Sequence, residues 1–398
     1  MRISQKVSKI APSLTLEITA KAKKMKAEGI SVISFGAGEP DFNTPDYIIE
    51  SAKKALDIGF TKYTPASGTA ELKKVISEKF KKDNGLDYAP EQIVVSSGAK
   101  ASLFHAICTL VDDGDEVIVP SPFWLTYPEL IGLAGGKTVY VETLSDCDYK
   151  ITAKQLKNAI TDKTKLLILN SPNNPTGAVY TEEELKAIAN VVEEAGIYVI
   201  ADEIYEKLIY DGEKHVSIAT LSSYMYDHTV TVNGVSKSYS MTGWRIGYLG
   251  APKDIAKAIS SMQSHTSSNP CSISQYASTT ALDSPESDKF IENMQIVFDE
   301  RRKLLVSLIK DIDGVTYTTP KGAFYVFVDV SALYGKTYHG NLINGSLSFA
   351  DNALKAGVAL IPGIAFGSDN SIRLSYAISK EDIKEGLDRL AKFIKELK

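Results

Sequence analysis

Lys237 follows Ser236 and precedes Arg245 by eight residues, in a stretch (232–247) rich in glycines and hydroxyls. A neutral lysine amine forms a Schiff base with a carbonyl cofactor, and nearby positive charge with partial burial keeps such an amine neutral near pH 7. The planar fork of an arginine suits a phosphate. The stretch therefore reads as an anion cradle around a nucleophilic lysine. By frequency alone a lysine is a solvated surface charge, but Lys237 lies just beyond an apolar run ending at Asn233, where α/β folds place ligands.

Asp202 ends the apolar run 197–201. Such an aspartate is commonly a helix cap or loop carboxylate. Its functional reading is a buried acceptor that keeps a cofactor ring nitrogen protonated and so makes the ring an electron sink. Tyr205, three residues on, suits either a donor to an oxygen of the same ring or a core aromatic. The loop 170–177 is a turn on its Pro172, Pro175 and Gly177 alone, and so fixed a path also aims one amide, that of Asn174, at a ligand. Ser97, Gly98 and Ala99 open a helix expected over 100–110, and amides at a helix amino terminus suit a phosphate.

These residues need a scaffold that gathers them. Apolar runs at 92–95, 116–120, 138–141, 165–169, 197–201, 229–233 and 246–250 alternate with helical patterns, the rhythm of an α/β domain around a mostly parallel sheet. Thr181 with Glu184 reads as a capping box, and Gly196 as the stop of the helix that follows. The polar clusters at 96–100, 170–177, 202 and 234–237 all fall at carboxyl ends of runs, so four loops converge on one crevice. Beyond about residue 280 come a long helix (287–312), two strand candidates (315–318 and 323–328) and a terminal helix from Lys380. The expected division is an amino-terminal segment, 1–45, joining a smaller α+β domain, 284–398, with a large cofactor-binding domain, 46–283, between them.

Composition narrows the class. A chain of 398 residues suggests two domains, and a net charge of −5 with 44% hydrophobic residues gives no basic excess for nucleic acid or a membrane surface. Residues 1–16 carry scattered charge and no secretion signal, and no apolar run is long enough to span a bilayer. Cys108, Cys147 and Cys271 are an odd, widely spaced set, expected as reduced core thiols without metal-site spacing. Six of the 44 basic residues are arginine, so an arginine in a motif, such as Arg245 or Arg373, marks a place where a fork is needed.

Asn174 within Ser171–Gly177, the Asp202-Glu203-Ile204-Tyr205 run, the Ser236-Lys237 pair with Arg245 in Gly243–Gly247, and Arg373 in Ile372–Tyr376 together resemble the pyridoxal-phosphate-dependent class I aminotransferases of the aspartate aminotransferase fold. The resemblance runs from Pro12 to the carboxyl terminus and is closest to the bacterial branch. It implies fold type I, with a mostly parallel seven-stranded sheet, and pyridoxal 5'-phosphate as cofactor. Lys237 would hold the cofactor and shuttle the proton, Asp202 would pair with the ring nitrogen, and Asn174 and Tyr205 would contact the ring hydroxyl. Trp124 would stack on the ring, or else serves as a core aromatic. Gly98, Ala99, Ser236 and Arg245 would hold the phosphate, with Tyr63 reaching in from the second subunit of a homodimer. Gly38 and Arg373 would receive the α-carboxylate of the substrate, beside Trp124 and Asn174. One departure is Gly234, where many relatives have a hydroxyl side chain that contacts the phosphate.

The best-known branch uses a partner-subunit arginine for the distal carboxylate of the substrate, but this chain has no arginine between Arg245 and Arg301. The bacterial branch implies Lys100 instead, whose plainer reading is an exposed first-turn lysine. The expected activity is transfer between aspartate or glutamate and 2-oxoglutarate or oxaloacetate, by a ping-pong scheme in the cytoplasm. Prephenate, aromatic or neutral substrates, or a β-lyase on the same scaffold, are the alternatives. A cofactor-sensing regulator fits less well, since no basic DNA-binding segment precedes the motifs.

Overall fold

All seven expected runs become strands of one sheet. The computed structural model describes residues 3–398. Among them the chain forms β1 (Ile33–Ser34), then β2 (Ile93–Ser96), β3 (Glu116–Ser121), β4 (Lys137–Glu142), β5 (Thr164–Asn170), β6 (Tyr198–Asp202), β7 (Thr229–Gly234) and β8 (Gly247–Gly250). The last seven assemble in the order β2-β8-β7-β6-β5-β3-β4, with β8 alone antiparallel to its neighbours. The fold is therefore the expected type I architecture.

The runs are apolar on both faces because helices cover both. Ile168 and Ile200 point into one layer with Leu103 and Ile107 of the helix Ala99–Leu110, while Leu167, Val199 and Ala201 point into the other with Leu185, Ile188 and Val192 of the helix Glu182–Ala195. That second helix carries the expected capping box between Thr181 and Glu184, and it stops at Gly196 in the left-handed region. Register then sets the site: Asn170 lies opposite Asp202, and Asp202 opposite Val232, so the carboxyl ends of β5, β6 and β7 finish in one row.

The second half departs from expectation in detail. The long helix is Pro285–Ile309 rather than 287–312, because Ser284 caps it and Pro285 opens it. The two strand candidates become β9 (Thr316–Tyr317) and β10 (Tyr325–Asp329), followed by a small hairpin of β11 (Thr337–Tyr338) and β12 (Asn341–Leu342) and by β13 (Val358–Ala359), β14 (Ile361–Pro362) and β15 (Ser371–Ser375). Strands β14, β15, β10 and β9 form an antiparallel sheet, and β1 pairs in parallel with β13. Most of these are two residues long, too short to show a period. β15 escapes notice because it reads Ser-Ile-Arg-Leu-Ser, yet all five residues are buried. The cysteines are free thiols but not core residues: Cys108 and Cys147 are half-buried and Cys271 is exposed, since none lies on an inward-facing position of its element.

Candidate active site

A cavity of about 680 Å³ opens at the carboxyl ends of β5, β6 and β7 and is lined by Lys237, Asp202, Tyr205, Asn174, Arg245 and Arg373. Gly38, Ala99, Lys100, Trp124 and Ser236 border the same space. The helix that starts at Ala99, the loop after β5, the end of β6, the loop after β7 and strand β15 each supply part of it.

Asp202, the last residue of β6, is buried. Its Oδ2 accepts from the Tyr127 hydroxyl at 2.7 Å and its Oδ1 from the Ile204 amide at 3.3 Å. Burial pushes its carboxyl up to about 6, against the pull of those two donors. Lys237 donates to the Gly38 carbonyl at 2.7 Å, and burial, with Arg373 and Arg245 in support, brings its amine down to about 8 despite the opposing charge of Glu39. An amine with that value is neutral in an appreciable fraction near pH 7, as the nucleophile role needs. Thr242 donates to Glu39 at 2.6 Å and so ties the segment around Gly38 to the loop that carries Arg245.

The anion cradle can be tested on its glycines. Gly98 has φ +85°, and a Cβ there would lie 2.2 Å from Nη2 of Arg245. A Cβ on Gly247 would lie 2.1 Å from the Ala99 amide nitrogen. Only glycines let the guanidinium rest against the amino terminus of the helix Ala99–Leu110. Arg245, itself in the left-handed region, is held by its Nη1 donating to the Thr242 carbonyl at 2.9 Å. Fork, helix amides and Ser236 thus suit a phosphate, and the buried Asp202 suits a protonated ring nitrogen, so these residues fit pyridoxal phosphate. Gly234 explains its own departure: a Cβ there would sit 3.0 Å from the Ile246 carbonyl and 3.1 Å from Gly247 Cα, leaving little room for a hydroxyl side chain.

Arg373 is buried, and its Nη1 donates to Asn174 Oδ1 at 3.0 Å while Nη2 donates to the Gly36 carbonyl at 3.3 Å. Its guanidinium lies 4.3 Å from the Tyr325 ring, and its Nε has no partner, a fork with donor capacity left for an anion. Asn174, expected against a ring hydroxyl, is here bonded to Arg373. Tyr205 shares a 3.0 Å hydrogen bond with Tyr325. The Lys100 amine stands 4.9 Å from the Trp124 ring, its pKa lowered by burial and then by Arg245. Tyr63 is 92% exposed and lies outside this chain's cavity.

Among the lining residues that escape the sequence reading are Tyr127, Tyr325 and Glu39. Tyr127 sits three residues after Trp124, and its ring is edge-on to that indole at 5.5 Å, so the helical spacing was a usable hint. Nothing in the runs around Glu39 or Tyr325 marks them.

Residues 30–390 match the family model described as aminotransferase class I and II. The chain is 47% identical, over 100% of both chains, to the aspartate aminotransferase of Bacillus subtilis. It is 46% identical, over 99% of each, to a probable aspartate/prephenate aminotransferase of Aquifex aeolicus. The crystal structure of the aspartate aminotransferase from Rhizobium meliloti superposes with a TM-score of 0.96 at 41% identity, covering 100% of both chains.

Proposed function

The chain belongs to the class I and II aminotransferase family, and from that membership we propose that it transfers amino groups between aspartate or glutamate and 2-oxoglutarate or oxaloacetate. It is a pyridoxal-phosphate-dependent transaminase. The observation that carries the substrate-level reading is that Lys237, Asp202, Arg245 and Arg373 line one cavity with Lys100 at its border.

Gly98, Ala99, Ser236 and Arg245 would hold the phosphate, and Asp202 the ring nitrogen, with Trp124 over the ring and Tyr205 and Asn174 towards its hydroxyl. Pyridoxal phosphate, when bound, supplies an electron sink for the charge that develops at the substrate Cα. Lys237 would be the amine that holds the cofactor and, once freed, takes and carries the substrate Cα proton at Nζ. Arg373 binds the α-carboxylate through the fork that Tyr325 backs and Asn174 steadies. Lys100 faces the distal carboxylate, whose burial without a cation would cost several kcal/mol. The same groups serve donor and acceptor in turn, which gives ping-pong kinetics.

We infer a homodimer, in which Tyr63, exposed and outside this chain's own cavity, would reach the phosphate held by the second subunit. We place the division of the chain near residues 45 and 284, where Ser284 separates the helices Ser272–Asp283 and Pro285–Ile309. The free thiols fit a cytoplasmic setting. The name of the Aquifex relative extends to prephenate, which makes a bulkier 2-oxo acid than oxaloacetate the second reading. The test is a panel of donors and acceptors, prephenate included, assayed on the purified protein with pyridoxal phosphate. Parallel double-reciprocal lines with aspartate and 2-oxoglutarate are expected; ammonia and pyruvate released from a single substrate would mean a lyase.

A further inference from the structure

Directly behind Asp202 and Tyr205 lies a closed cluster of charge. Glu203 and Glu206, their sequence neighbours, are buried, as are Lys79 and Asn84 from the segment that follows Thr69. Asn84 donates to Glu203 at 3.0 Å and to Glu206 at 2.7 Å, and accepts from Lys79 at 2.7 Å. Ser217 donates to the other oxygen of Glu203 at 2.6 Å, and Lys79 pairs with Glu206. Every carboxylate oxygen already accepts from a donor, so the cluster is a charge network rather than a metal site. Lys79 balances Glu206, and Lys207 balances Asp83 at 2.9 Å. Glu203 is left with one cation in reach, His215, whose Nε2 lies 2.9 Å from Glu203 Oε2.

We propose that His215 is a positioning residue for the reaction: its charge cancels that of Glu203 and so keeps the adjacent Asp202 available as the anion that faces the cofactor nitrogen. The inference rests on the proposed role of Asp202. The Glu203 charge opposes ionisation of Asp202. Burial, the largest influence on His215, pushes its pKa down, but Glu203 and Glu206 together carry it above the ordinary value against the charge of Lys79. His215 Nε2 lies 2.9 Å from Glu203 and Nδ1 has no partner, so His215 acts on the network through Glu203. The remaining ionisable groups around the network, Asp83, Lys207 and the buried Tyr88, Tyr239 and Tyr248, do not replace that cation, because Lys207 is committed to Asp83 and the phenols stay neutral with pKa values raised by burial.

The readout is binding to the cofactor-free full chain at pH 6.5 of pyridoxal phosphate and of its 1-deaza analogue, in which a ring C–H replaces the nitrogen. The ratio of the two affinities senses the ionised Asp202, whereas a loss of fold weakens both ligands alike. His215→Gln is expected to lower the ratio about threefold, because a rise of one pKa unit on Asp202 from about 6 cuts its ionised fraction at pH 6.5 from about three quarters to about one quarter, and adding Glu203→Gln is expected to restore it. Glu203→Gln alone, which serves if His215→Gln does not fold, leaves the ratio equal or higher. Equal losses for both ligands, failure of the double variant to recover, or a lower ratio in Glu203→Gln would each overturn the inference. A wild-type ratio near one would instead overturn the role of Asp202 and, with it, this proposal.

Discussion

The Tyr127 hydroxyl donates to Oδ2 of Asp202 at 2.7 Å, with both side chains buried. The bond favours the ionised carboxylate, so its loss must raise the Asp202 pKa beyond about 6. Tyr127→Phe should therefore reduce the anionic fraction at pH 7. A hydrogen bond to a charged group contributes about 1.5–3 kcal/mol, so pyridoxal phosphate should bind roughly ten- to a hundredfold more weakly. The loss should steepen as pH falls towards 6. Fluorescence titration of the cofactor-free variant measures it, and an unchanged affinity at pH 6 would remove Tyr127 from the mechanism.

Lys237 carries its own stability signature. Its pKa falls from 10.5 in the unfolded chain to about 8 in the fold, chiefly through burial. The folded chain then binds fewer protons than the unfolded one between those values, so this group's contribution to stability rises with pH from about 8 to 10.5. Below pH 8 the buried charge is a fixed penalty. Lys237→Met should thus raise the melting temperature of the cofactor-free protein at pH 7, and the advantage should vanish as pH approaches 10.5. A variant less stable than wild type at pH 7 would contradict the burial argument. In the presence of cofactor the same variant should show no turnover.

Gly98 can be tested through the part of the cofactor that it would hold. Alanine there needs a left-handed backbone and meets the Arg245 guanidinium at 2.2 Å, so either the helix start or Arg245 must move. Strain of that kind costs on the order of 1–3 kcal/mol. Gly98→Ala should weaken pyridoxal phosphate by roughly tenfold or more while leaving pyridoxal, which lacks the phosphate, nearly unaffected. Equal weakening of the two would place the phosphate elsewhere.

The parts legible in the sequence were those whose signal is local. Seven apolar runs gave the sheet, and loops at their carboxyl ends gave Asn174, Asp202 and Lys237 a common crevice. Tyr325 and Tyr127 were hidden because they act through partners 120 and 75 residues away in the chain. Arg373 was visible as a rare arginine, but not the Asn174 bond that steadies it, since a 199-residue separation leaves no periodic trace. Strands of two residues, such as β1 and β13, are fixed by tertiary pairing and have no propensity pattern to read.

Substrate choice turns on which lysine meets the distal carboxylate. Lys100 borders the cavity at the first turn of its helix, beside Trp124, with its pKa lowered by burial and by Arg245. Lys23 and Lys26 border the same cavity from the helix Leu14–Ala27. All three are exposed and place a cation near the opening, but Lys100 alone stands against an aromatic ring and has its pKa lowered, first by partial desolvation and then by Arg245. Lys100→Ala should cut kcat/KM for aspartate about a hundredfold while changing alanine little, because a site built for a polar group discriminates most against its absence. Lys23→Ala and Lys26→Ala should each stay within about threefold of wild type, as expected for exposed charges. If one of them loses the preference for aspartate and Lys100→Ala keeps it, the amino-terminal helix supplies the recognising cation instead.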